Sequence, residues 1–136
     1  MKVTTGSHYL AFVLDENTRN RVMMLYHQRH PVTVCHHVTI QLNIEESDVE
    51  RLQSIVDANP EFKLSSMIET DVVDLFRVDV DGVLLATDQS FTHLTYTRKL
   101  EARNRDSNRV LKGEIDLTGI FSASAVLTGQ FELIPY

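Results

Sequence analysis

Apolar residues along this chain recur with two periods, and the changes between them mark out the elements. Residues 8–14, His-Tyr-Leu-Ala-Phe-Val-Leu, form an apolar and aromatic run that predicts a first strand, followed at once by Asp15 in a helix-start position. Residues 16–28 predict a helix that buries Val22, Leu25 and Tyr26 on one face, with Pro31 ending it. Residues 32–42 then alternate as a long strand. Ser47-Asp48-Val49-Glu50 has the form of a capping box, and the helix it opens carries Val49, Leu52, Ile55 and Val56 at core spacing until Asn59-Pro60 stops it.

Past Phe62 the pattern turns to strands. Residues 64–68 and 72–80 predict two of them, with Asp81-Gly82 as a two-residue hairpin turn and residues 83–86 returning. Residues 92–97 predict another strand, residues 99–111 a basic loop or short helix, and residues 114–134 a final pair of strands. The order β-α-β-α followed by several strands predicts one two-lobed α+β domain over residues 1–136, with a cleft between sheets. No low-complexity stretch or linker divides the chain.

Within this pattern two strands carry the same tetrapeptide form, His37-Val38-Thr39-Ile40 and His93-Leu94-Thr95-Tyr96. Successive side chains on a strand face opposite ways, so His37 and Thr39 share a face, as do His93 and Thr95. By chance this composition gives about half a match to His-x-Thr, so the repetition inside two strand-like runs carries the signal. Two imidazoles and two hydroxyls arriving from two strands suit one anionic group, above all a phosphate. The same alternation turns Tyr96 away from that group, into packing, and places His36 on the far face from His37. His8, His27 and His30 follow no partner pattern and are expected at the surface.

Charge adds a second feature. The 136 residues carry a formal net charge of -6, which argues against duplex binding over the whole surface. Residues 98–112 nevertheless concentrate Arg98, Lys99, Arg103, Arg105, Arg109 and Lys112 against Glu101 and Asp106. That segment follows the second His/Thr pair directly, so Arg98, Arg103, Arg105 and Arg109 are candidate substrate-binding residues; a solvated basic loop is the other reading. The single cysteine, Cys35, excludes an internal disulfide and a thiolate zinc site, and reads as a small buried strand residue. Asp79-x-Asp81-Gly82 lacks the rest of a calcium loop, and a hairpin accounts for it. No apolar run approaches membrane-spanning length and no signal peptide is evident, so a cytoplasmic protein without membrane attachment is expected.

The elements HVTI and HLTY resemble the paired HxTx signature of the 2H phosphoesterase superfamily. The likeness extends in outline to a strand and helix before the first motif and a helix between the motifs, although a separation of 56 positions between the two histidines is compact for that family. The resemblance implies a two-lobed domain with antiparallel sheets around a central cleft and helices outside. It also implies a metal-independent phosphodiesterase with no cofactor, in which His37 and His93 transfer protons and Thr39 and Thr95 bind phosphoryl oxygens. Near-neutral imidazoles can serve as base and acid at once, which agrees with that chemistry. Which histidine plays which part is not fixed by sequence.

Other catalytic templates are absent: no Gly-x-Ser-x-Gly, no phosphate-binding glycine loop, no Cys-x-x-Cys, no His-Glu-x-x-His. A small acidic domain with one basic segment suits a small nucleotide partner better than a large RNA. In scale it is similar to the phage anti-CBASS members of the superfamily, which leads to cyclic di- or trinucleotides as the expected substrates. The alternatives are 2′,3′-cyclic phosphates on RNA ends or mononucleotides, and a non-catalytic nucleotide sponge or RNA-binding module. Oligomeric state is not legible.

Overall fold

The computed structural model describes residues 1–80 and 92–136. Its strands are β1 (His8–Leu14), β2 (Val32–Thr33), β3 (His37–Gln41), β4 (Phe62–Thr70), β5 (Val73–Val80), β6 (His93–Arg98), β7 (Leu117–Leu127) and β8 (Gly129–Pro135). Its helices are α1 (Glu16–Leu25), α2 (Val49–Ala58) and α3 (Asp106–Leu111). The fold is therefore α+β. The expected turn at Asp81-Gly82 and the strand over residues 83–86 lie outside the described residues.

The strands form one antiparallel sheet in the order β7-β4-β5-β6-β3-β1-β8, with β2 paired to β6 beside that path. Strands β7 and β8 stand at opposite ends of the order, yet Thr128 alone separates them in sequence. One linking residue makes two Cα–Cα steps, which span at most about 7 Å, so the two ends of the order meet and the sheet must curl on itself. Thr128 fastens the corner: its hydroxyl donates to Asp15 Oδ2 at 2.6 Å, its N–H donates to Thr18 Oγ1 at 3.1 Å, and its carbonyl accepts from the Asp15 N–H at 3.0 Å. Inside the curl the rings of Phe12 and Phe62 stack at 4.1 Å, and Phe131 meets both edge-on.

Each helix forms for a local reason. Asp15 caps α1 by accepting from the Thr18 N–H at 2.8 Å. The helix ends at Leu25, short of the expected Gln28, and Leu25 is exposed rather than buried because the chain turns extended at Tyr26. Val22 and the half-buried Tyr26 do reach the core. Ahead of α2 a short 3₁₀ turn, Glu46–Asp48, moves the cap back by two residues: Asp48 Oδ2 accepts from the Glu45 N–H at 2.9 Å in place of the expected Ser47/Glu50 pair. Leu52 and Ile55 are buried as the spacing predicts, and α2 stops on Asn59 at φ 46° before Pro60.

Apolar residues fill both faces of β5. Phe76 and Val78 belong to the main core with Leu94, Val38 and α1 and α2, whereas Val73 and Leu75 face a second cluster with Ile68 and Val110 of α3. This two-sided burial gives the sheet two distinct faces around the motif strands.

Candidate active site

The motif strands are neighbours in the sheet, with Val38 opposite Leu94. Both are fully buried and in register with Phe76, so they point into the main core. Alternation then sends His37, Thr39, His93 and Thr95 to the other face, and Leu75, the register partner of Thr95, lies on that side with α3. All four motif residues line one cavity of about 280 Å³. Tyr9 of β1 and Tyr136 form one wall of it, and Asn104, Arg105 and Asn108 another.

His93 and Thr95 are each 9% exposed. Thr95 Oγ1 lies 2.7 Å from Ser107 Oγ of α3, so a buried serine fixes the hydroxyl. His37 is half-buried, with Nε2 at 3.4 Å from the Tyr9 hydroxyl and the two rings 5.7 Å apart. Burial, then the neighbouring His36 and His93, push its pKa down to about 4, so the ring is neutral across the physiological range. Burial and the adjacent Tyr136 hold the Tyr9 hydroxyl above its ordinary pKa. Tyr136 is anchored in turn, accepting from the Asn43 N–H at 2.8 Å and donating to Asn43 Oδ1 at 3.2 Å.

His36 does not occupy the far face that simple alternation predicts. Between Thr33, opposite Thr97, and Val38, opposite Leu94, the chain uses two more residues than β6 does over the same stretch. The excess is absorbed where Cys35 adopts φ 42°. This bulge breaks the alternation and brings His36 Nδ1 to 2.9 Å from His37 Nδ1. Cys35 itself is buried, and its thiol is pushed up to about 11 by that burial, as fits a structural residue.

The four arginines separate. Arg105 lines the cavity. Arg98 holds the segment that follows β6, donating from Nε to Asn104 Oδ1 at 2.9 Å and from Nη1 to the Ala102 carbonyl at 2.9 Å. Arg109 pairs with Asp106 at 3.2 Å, and exposed Arg103 donates its backbone N–H to Asp106 at 2.9 Å. That backbone bond, with help from Arg109, keeps the Asp106 carboxyl below its ordinary pKa. The segment thus builds the wall from which Asn104, Arg105 and Asn108 face the motif residues.

Sequence reasoning missed Tyr9, Tyr136, Ser107 and His36. Tyr9 arrives through the pairing of β1 with β3, and Tyr136 follows β8 and is held by Asn43; neither has a local signature. Arg77, opposite His93 in register, is a further neighbour that no spacing revealed. His30, expected at the surface, is instead nearly buried, with Nε2 at 3.0 Å from the Thr70 carbonyl and 3.4 Å from Asp74, because the turn between β4 and β5 closes over it. Tyr96 packs against Phe76 as alternation predicts, fully buried with its hydroxyl bonded to the Tyr26 carbonyl.

Among the described residues, no group of three or more His, Cys, Asp or Glu side chains is placed to hold a metal ion, and no helix is long and apolar enough to cross a membrane. No protein-family model, curated protein or solved structure matches the chain.

Proposed function

We propose that this protein is a 2H-type phosphodiesterase that cleaves small nucleotide phosphodiesters without a metal ion. The observation that carries the reading is the convergence of His37, Thr39, His93 and Thr95 on one cavity beside Arg105. His37, kept neutral by burial, is the general base: it takes the proton from the attacking water or ribose hydroxyl as the new O–P bond forms. His93 is the general acid and gives its proton to the departing oxygen as the old P–O bond breaks. Thr95 Oγ1 and Ser107 Oγ share one hydrogen bond; with Ser107 as its donor the Thr95 hydrogen serves a non-bridging oxygen, and Thr39 and Arg105 act on the same developing charge.

Cyclic di- or trinucleotides are the leading substrates, with one linkage seated in the cavity and the remainder at its mouth. The 280 Å³ volume favours a second reading, 2′,3′-cyclic phosphates, because it is near the lower end for ligand pockets, about 300 Å³, and suits a single nucleotide. The deciding experiment incubates the protein with cyclic dinucleotides, cyclic trinucleotides, 2′-5′ adenylates and 2′,3′-cyclic mononucleotides, with and without EDTA, beside His37→Ala and His93→Ala. The expected result is turnover that EDTA leaves intact and that each substitution lowers by about 100-fold or more. Tight binding without turnover would identify a sponge, and activity restored only by a divalent ion would overturn the mechanism.

A further inference from the structure

The contact between His36 and His37 is the least expected feature of the site, and it has consequences for proton placement. Two Nδ1 atoms 2.9 Å apart must share one hydrogen: two lone pairs would repel, and two N–H groups would collide. The question is which ring carries it.

His36 is exposed, whereas His37 is half-buried. An exposed neutral imidazole ordinarily holds its proton on Nε2, where water accepts it, and so offers Nδ1 as an acceptor. His37 must then carry its proton on Nδ1 and donate. Its Nε2, on the side of Tyr9 and the cavity, is left with a free lone pair. The Tyr9 hydroxyl, 3.4 Å away, faces that nitrogen as a donor.

We propose that His36 is a positioning residue: through the Nδ1–Nδ1 hydrogen bond that the Cys35 bulge makes possible, it holds His37 in the tautomer whose Nε2 can accept a proton. The inference deepens the phosphodiesterase reading and rests on its assignment of His37 as the base. The other titratable or charged groups around the pair are Tyr9 from β1, His93 from β6, Tyr136, Arg105 from the wall segment, and Arg19 of α1, whose Nε donates to the Cys35 carbonyl at 3.2 Å.

The test is ¹⁵N NMR of the histidine rings in the full chain, with no ligand added. The native protein at neutral pH is expected to show a pyrrole-type Nδ1 and a pyridine-type Nε2 at His37. His36→Asn, whose side-chain oxygen can accept in the same place, keeps that pattern; His36→Ala shifts His37 to the Nε2–H form. Since His36 is exposed, both variants fold. On whichever substrate is turned over, His36→Ala lowers kcat by about tenfold with KM within about twofold, and His36→Asn restores most of the loss. A native His37 protonated on Nε2, or a tautomer unchanged in His36→Ala, would overturn the proposal. Because the ring shifts need no substrate, they decide the positioning role separately from the turnover panel that decides the phosphodiesterase reading.

Discussion

Burial of His37 between His36 and His93 has a thermodynamic signature independent of any substrate. In the unfolded chain this ring takes up its proton near pH 6.5, whereas in the folded protein it does so only near 4. Between those values the unfolded state binds more protons, so the contribution of His37 to stability is full above pH 6.5 and falls as the pH drops toward 4. Urea unfolding at pH 7 and pH 5 should show this loss, and His37→Asn should reduce the difference between the two pH values; an equal difference in both proteins would mean that the ring is not desolvated. At this scale the sequence identified the His and Thr side chains because alternation alone puts them on one face. It could not identify His36, since a bulge of two residues cancels alternation, nor Ser107, whose role depends on α3 folding back over β6.

Helix α2 shows how far periodicity reaches at the scale of an element. Its apolar spacing names the buried residues, and Leu52 at 0% exposure is one of them. Leu52→Ala is expected to cost about 2–5 kcal/mol in urea unfolding, the range for emptying a core leucine site. In α1 the same reasoning named Leu25, which is 58% exposed because the helix ends there. Leu25→Ala should therefore change stability by no more than about 0.5 kcal/mol. A large loss at Leu25 would show that the end of α1 packs more tightly than its exposure indicates. Helix existence was legible from period and caps, whereas helix ends were not, because the turn at Tyr26 is set by its hydroxyl reaching Ser124 and by its carbonyl accepting from Tyr96.

For the whole molecule, the decisive feature is closure of the curled sheet at the corner between β7 and β8. Gly129 pairs with Leu14 there, and a Cβ on it would sit 2.0 Å from the Val13 carbonyl oxygen. That obstacle is backbone, so relief requires β1 and β8 to separate. Gly129→Ala is expected to destabilise the protein by about 3 kcal/mol, measured as a lowered urea midpoint. A neutral outcome would mean that the corner is open in solution. Asp15 belongs to the same corner, and the Thr128 hydroxyl and Thr18 N–H that it accepts hold its carboxyl below the ordinary pKa.

The sequence by itself determined the class of the fold, the identity of most strands, the core face of α2 and the two His/Thr pairs, because each is written in a local period of apolar and polar positions. It also located the basic segment as a feature, without revealing that Arg98 and Arg109 anchor that segment while Arg105 faces the cavity. Tertiary structure alone decided that β3 and β6 lie side by side, that Tyr9, Tyr136 and α3 wall the cavity, and that His36 reaches His37. Those facts follow from strand order and from two extra residues beside Cys35, which are set by how distant segments pair.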